Sequence, residues 1–180
     1  MANDETKWRN EIQQLVTKIV KERLKNESSF VAGQTKIPYG GRKYDEREVI
    51  AAVDASLDFW LTLGANGCSF EKKLSTLLGQ KFCCLTNSGS SANLLAFSAL
   101  CQSSIKGNLC PGDEVITVAA GFPTTVNPIV QNACVPVFVD VEAEGVNIDV
   151  NMLEAARTNR TRAVFLAHTL GNPFDLEAVL

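Results

Sequence analysis

Apolar residues fall at helical spacing over 6–25, where Trp8, Ile12, Leu15, Val16, Ile19 and Leu24 make one stripe and Lys18, Lys21, Glu22 and Lys25 lie on the wet side. The spacing predicts an amphipathic helix. The next stretch, 26–41 (NESSFVAGQTKIPYGG), is rich in Gly, Pro and Ser and reads as an extended arm. An arm carrying Phe30, Val31 and Tyr39 either lies across the body of the protein or reaches a second subunit. Asp45 followed by Glu48 has the form of a capping box. The helix it starts is expected to run to Leu63, with Val49, Val53, Leu57, Trp60 and Leu61 on one face and Gly64 as its end. After an irregular 65–68, Ser69 is the expected cap of a helix that turns Phe70, Leu74, Leu77 and Leu78 inward and closes at Gly79.

From residue 82 the period changes. The run 82–85 (FCCL) is apolar and β-compatible, 86–91 (TNSGSS) is small and polar, and helical spacing resumes from Ala92 to Leu100, so the pattern predicts strand, turn, helix. Three more strands are expected at 114–119 (EVITVA), 135–141 (VPVFVDV) and 162–167 (RAVFLA). Pro136 suits the end of a strand better than its middle. Between the strands, Pro123 sits well at a first helical position, Asp149 is placed to cap a helix through Arg157, and Asp175 begins another. Strands alternating with helices predict an α/β domain with a largely parallel sheet. Ligands gather at the C-terminal ends of such strands, the address shared by loops 86–91, 119–123 and 168–173.

Composition narrows the setting. A chain of 180 residues, 46% hydrophobic and 21% charged, has the make-up of an ordinary globular protein with a real core. A net charge of −3 without a basic stripe gives no reason to expect nucleic acid or an anionic membrane as partner. No run approaches the ~18 apolar residues of a membrane span, and the polar N-terminus lacks the apolar core of a secretory signal, so the cytoplasm is the expected location. The six cysteines contain no C-x-x-C pair and the single histidine, His168, has no neighbouring ligand motif. They read as small buried hydrophobes in a reducing compartment.

The candidate chemistry centres on Ser88, Gly89, Ser90 and Ser91. Such a turn aims backbone N–H groups and hydroxyls at one point, and at a helix N-terminus that point suits a phosphate. The same residues are also ordinary caps and turn formers, and they match neither the dinucleotide fingerprint nor the Walker loop. Convergence of the three loops favours the phosphate reading.

The stretches FVAG (30–33), ASLDFWLTLG (55–64), FEKKL (70–74), TNSGSSANLLA (86–96), PGDEVITVAAGFPTTVNP (111–128), PVFVDV (136–141) and AHTLGNPFDL (167–176) together resemble the DegT-type family of pyridoxal-phosphate sugar aminotransferases and dehydratases. The likeness is nearest its CDP-4-dehydro-6-deoxyglucose 3-dehydrase branch. It implies a three-layer α/β fold, the fold-type I (aspartate aminotransferase-like) large domain, with 1–44 as helix and arm and 45–180 as the N-terminal half of the cofactor domain. The implied cofactor is pyridoxal phosphate or pyridoxamine phosphate, its phosphate on the turn at Ser88, Gly89, Ser90 and Ser91 and its ring under Phe122. Offset stacking there adds roughly 0.5–1.5 kcal/mol beyond area burial. The alternative for Phe122 is a core residue. His168 and Asn172 are implied to lie beside the cofactor and orient the acidic partner of the ring nitrogen, where a hydrogen-bonded structural histidine is the other reading. Trp60 matches a position near the sugar nucleotide, with core packing as its equal alternative.

The same resemblance implies a nucleotide-linked deoxysugar as substrate, deoxysugar and lipopolysaccharide O-antigen biosynthesis as setting, a homodimer, and a reductase as electron donor if the enzyme is a dehydrase. The chemistry needs a phosphate anchor, a carboxylate on the pyridine nitrogen and a base at the reacting carbon. The likeness puts the last two beyond Leu180, together with the cysteines of a 2Fe-2S cluster. No catalytic residue is therefore expected within 1–180, and the chain alone is expected to be insoluble or loosely folded, and inactive. The alternatives to a 3-dehydrase portion are a sugar-nucleotide aminotransferase and a non-catalytic truncated fragment.

Overall fold

Caps and left-handed residues set the limits of the first helices. The computed structural model describes residues 2–25, 30–37 and 40–180, which form two compact units, Met1–Lys81 and Phe82–Leu180. In the first unit, α1 (Ala2–Lys25) packs on α2 (Glu46–Asp58). Val20 is buried and Ile12, Val16 and Leu24 are half-buried, whereas Trp8, Leu15 and Ile19 are 58–60% exposed, so only part of the expected stripe is covered. Polar contacts join the two helices: Arg9 Nη2 donates to Asp58 Oδ1 at 2.8 Å, Gln13 Nε2 to Asp54 Oδ2 at 2.9 Å, and Lys21 pairs with Glu46 at 3.1 Å. Tyr39 and part of the expected arm lie outside the described residues. The described part is a turn closed by Gln34 N and Thr35 N on Val31 O, with Phe30 and Val31 exposed.

The capping box at Asp45 forms: Asp45 Oδ1 accepts from Arg47 N at 2.8 Å and Glu48 Oε2 from Asp45 N at 2.7 Å. The helix ends earlier than expected. Phe59 takes a left-handed φ of 49° and stops α2 at Asp58, which leaves Trp60, Leu61 and Leu63 in the following loop and exposed. Trp60 Nε1 donates to Leu63 O at 3.2 Å. This fold-back puts the Trp60 ring over Gly64, where a Cβ would come within 3.2 Å of Trp60 Cδ1. Gly64 is therefore the N-cap of α3 (Ala65–Leu77) and not the end of α2, and 65–68, expected to be irregular, is helical. Ser69 falls inside α3. Its expected inward residues Phe70, Leu77 and Leu78 are exposed, leaving Leu74 half-buried. Gly79 closes the element as expected, with φ +63° and the paired bonds Gln80 N to Ser75 O and Gly79 N to Thr76 O.

The second unit is a three-stranded parallel sheet in the order β2-β1-β3, formed by β1 (Glu114–Val118), β2 (Val135–Val139) and β3 (Thr161–Val164). Every residue of β1 is buried, the mark of a central parallel strand covered on both faces. Val115 belongs to a core with Phe97, Leu109, Ile129 and Cys134, beneath α4 (Gly89–Leu100) and α5 (Pro123–Gln131). Ile116 and Val118 face the other way, into Val139 and Ile148 with Leu153 and Phe174 packed against them. Three layers result. The helix expected from Asp149 is a 3-10 turn, Val150–Met152, running into the short α6 (Leu153–Ala156), and Asp175 caps α7 (Leu176–Val179).

The expected strand at 82–85 is not in the sheet. Both flanks of β1 are taken by β2 and β3, and the segment instead runs straight into the cap of α4. At the other end of β1, buried Glu114 accepts from the Thr158 hydroxyl and the Arg160 guanidinium, which hold its carboxyl below the usual carboxylate range despite burial. The cysteines divide: Cys134 is buried and Cys83 and Cys101 half-buried, but Cys68, Cys84 and Cys110 are exposed, so the expectation of burial fails for three thiols at surface loops and helix faces. Burial pushes the Cys134 thiol up to about 11. Among the described residues no group of three or more His, Cys, Asp or Glu side chains could hold a metal ion, and no helix is long and apolar enough to cross a membrane.

Candidate functional site

Helix α4 begins at Gly89, ahead of the Ala92 start its apolar spacing suggests, because Ser88 caps it. Ser88 Oγ accepts from Ser91 N at 3.2 Å and lies 3.3 Å from Ser91 Oγ, while Thr86 Oγ1 donates to Ser88 O at 2.9 Å and fixes the loop. The cap therefore occupies the Ser91 amide and leaves those of Gly89 and Ser90 facing outward at the positive end of the helix. Gly89 has ordinary helical backbone, and a Cβ there would meet nothing within 4 Å. The fold does not require glycine at this point; the space above the amides is open.

Helix α5 supplies the facing wall. Pro123 stands at its first position, and Pro128 inside it lacks the N–H that would bond Thr124 O four residues back. That freed carbonyl accepts from Asn93 Nδ2 of α4 at 3.3 Å. At the other end, Asn132 Nδ2 donates to Ser98 Oγ at 3.2 Å. The two helices thus run in the same direction with their N-termini side by side. Between them lies a cleft of about 180 Å³, lined by Ser90, Ser91, Leu94, Thr124, Asn127 and Gln131 among others. Pockets for whole cofactors run to roughly 300–1,000 Å³, so this cleft suits an anionic group and not an aromatic ring as well. Phe122 is the N-cap residue of α5 and is 65% exposed. Gly121 permits the chain to fold back over β1, since a Cβ there would approach Val118 Cγ2 to 3.1 Å.

His168 and Asn172 form a separate cluster beyond the C-terminal end of β3. The His168 ring stacks on Phe174 with centroids 4.4 Å apart, and its Nδ1 accepts from Phe174 N at 3.3 Å, which places the proton of the neutral ring on Nε2. Buried Asn147 clamps the turn, its Oδ1 accepting from Thr169 N and its Nδ2 donating to Asn172 O, both at 3.1 Å. Leu170 at the tip is held at φ 54° and is 74% exposed, a strained apolar residue in the open. Because β1 and β3 are parallel, this turn and the Phe122 loop leave the same edge of the sheet. Trp60 belongs to the first unit.

Sequence reasoning missed Asn93, Thr124 and Asn147. Asn93 and Thr124 carried a usable signal, since Pro128 inside an expected helix frees the carbonyl of residue 124. Asn147, in an irregular loop, carried none.

The DegT/DnrJ/EryC1/StrS aminotransferase family model matches residues 43–180. The chain belongs to this family. It is 49% identical over 172 residues to the lipopolysaccharide biosynthesis protein RfbH of Salmonella typhimurium, covering 95% of this chain and 39% of that protein. It is 49% identical over 152 residues to the dTDP-4-dehydro-2,6-dideoxy-D-glucose 3-dehydratase of Saccharopolyspora spinosa, covering 84% and 33%. Among solved structures, a GDP-4-keto-6-deoxymannose-3-dehydratase with a trapped PLP-glutamate geminal diamine superposes with a TM-score of 0.72 at 30% identity, over 80% of this chain and 37% of that one. A Streptococcus pneumoniae protein assigned as a sugar aminotransferase, in its PLP form, gives 0.68 at 26% identity, over 81% and 35%. The chain thus spans well under half the length of the relatives it matches. The family is one of pyridoxal-phosphate sugar-nucleotide enzymes, and the α/β fold with its parallel sheet is shared with these neighbours.

Proposed function

We propose that this chain is the cofactor-anchoring part of an enzyme that uses pyridoxal or pyridoxamine phosphate to remove the C3 hydroxyl of a nucleotide-linked 4-keto-6-deoxy sugar. The observation that carries the reading is the N-terminus of α4, where Ser90 and Ser91 line one phosphate-sized cleft together with Thr124 of α5. When bound, such a cofactor would supply an amino group for the keto carbon of the sugar and a pyridine ring that serves as an electron sink.

The residues of this chain have positioning roles. The α4 amides and the serine hydroxyls hold the phosphate with charge-assisted hydrogen bonds, strengthened by the helix dipole. Phe122 covers one ring face and sheds water there. His168, its Nδ1 fixed by Phe174 N, would have Nε2–H left to donate to the acidic partner of the ring nitrogen, with Asn172 in the same clamped turn. Trp60 is assigned to the sugar nucleotide, and a homodimer, a 2Fe-2S cluster and a reductase donor belong to the whole enzyme.

A sugar aminotransferase is the second reading, favoured by 30% identity to a UDP-4-amino-4-deoxy-L-arabinose–oxoglutarate aminotransferase of Shewanella sediminis. The test is product analysis by mass spectrometry after the protein in its full natural length meets CDP-, dTDP- and GDP-linked 4-keto-6-deoxyhexoses. A product lacking the C3 oxygen supports dehydration; a product that gains an amino nitrogen with C3 intact overturns it.

A further inference from the structure

Trp8, Ile12, Leu15 and Ile19 are spaced four, three and four residues apart on α1. At about 100° per residue they lie along one narrow line, the d-a-d-a seam of a short coiled coil. The line is distinct from the face on α2, where Val20 is buried and Arg9 and Gln13 make their polar bonds. Three of its four members stay well exposed: Trp8 59%, Leu15 58% and Ile19 60%. Glu5 and Glu22 take the next a and d positions and bound the seam at four layers.

The flanking charges identify the occupant. The g positions beside the seam, away from α2, read Asp4, Glu11, Lys18 and Lys25. If two copies of α1 pair antiparallel with Ile12 against Leu15 and Trp8 against Ile19, each g residue meets a g residue of the other copy. Glu11 then faces Lys18 twice, and Asp4 falls opposite Lys25. In a parallel pair the g residue Lys18 would meet the e residue Arg23, like against like. The order acidic, acidic, basic, basic along one flank is self-complementary only under a twofold axis perpendicular to the helix.

We propose that α1 is an antiparallel self-pairing helix, and that its exposed seam takes the α1 of a second copy of this chain. The family match begins at residue 43 and does not include α1.

The test mixes 15N-labelled and unlabelled copies of the 180-residue chain, applies a zero-length carbodiimide, and maps crosslinked peptides by mass spectrometry. Mixed-isotope Glu11–Lys18 links are expected. Same-isotope links only, or none, overturn the proposal. Sedimentation equilibrium of variants gives the second arm. Leu15→Ser weakens self-association about a hundredfold, because the leucine is lost twice by symmetry. Glu11→Lys weakens it about tenfold, and Glu11→Lys with Lys18→Glu restores it. Glu11 and Lys18 are exposed, so these charge changes leave the fold intact by circular dichroism. Self-association indifferent to all three variants contradicts the proposal, including the case in which the seam serves a helix of another protein.

Discussion

Replacing Gly89 by aspartate separates what the fold needs from what the site needs. Gly89 is the first residue of α4, its φ is not left-handed, and a Cβ there meets nothing within 4 Å. Aspartate in the first turn favours the helix dipole by about 0.3–1 kcal/mol, and losing a helical glycine adds to this. The variant should therefore melt at or above the wild-type temperature. A phosphate of about two negative charges in the cleft would stand on the order of 5 Å from the new carboxylate. At effective dielectric constants of about 40–80 the repulsion is roughly 2–3 kcal/mol, a loss of about 30- to 150-fold in affinity. Isothermal titration with pyridoxamine phosphate reads the affinity and a thermal melt reads the fold. Unchanged binding would refute the phosphate assignment; a melt lowered by several degrees would refute the claim that the glycine is not structural.

Other outcomes follow from the same contacts. Ile129→Ala empties a fully buried position among Phe97, Leu109, Val115 and Cys134, and urea unfolding should show a loss of about 2–5 kcal/mol. Asn93→Ala strands the Thr124 carbonyl that Pro128 leaves unpaired, so stability should fall by about 1–3 kcal/mol and pyridoxamine phosphate affinity should fall with it. The Asp45 carboxyl, held at about 2 by the Arg47 guanidinium and backbone amide, contributes stability above its ordinary pKa, and that contribution is lost as pH falls from about 4 through about 2. Asp45→Asn should flatten thermal stability across that window. At pH 8, Cys134, with its thiol pushed to about 11 by burial, should remain unmodified by iodoacetamide while exposed Cys68, Cys84 and Cys110 react.

What could be read from the chain divides by the range of the forces involved. Local signals held: the Asp45 capping box, the Gly79 ending, Pro123 at the start of α5 and Asp175 at the start of α7 are each decided within a few residues. The three sheet strands were legible from short β-branched runs, and in β1 Val115, Ile116 and Val118 place apolar side chains on both faces, as burial on both faces demands. Long-range choices were not. Whether 82–85 joins a sheet depends on long-range pairing: β1 is flanked on both sides, and the segment pairs with neither outer strand, β2 or β3. Whether Gly64 ends one helix or caps the next turned on Phe59 entering the left-handed region, which a phenylalanine does not announce. The turn at Ser88–Ser91 was visible as a candidate anchor; of its facing wall only the carbonyl freed by Pro128 was legible, while the partner it finds, Asn93 of α4, depends on how the two helices pack.

The most direct measurement is a 15N–1H correlation spectrum of the chain titrated in parallel with pyridoxamine phosphate and with pyridoxamine, which lacks the phosphate. If the N-terminus of α4 anchors the cofactor phosphate, the amides of Gly89, Ser90, Ser91 and Thr124 shift with the first compound and stay in place with the second. Equal shifts with both, or shifts that leave these four amides untouched, would contradict it.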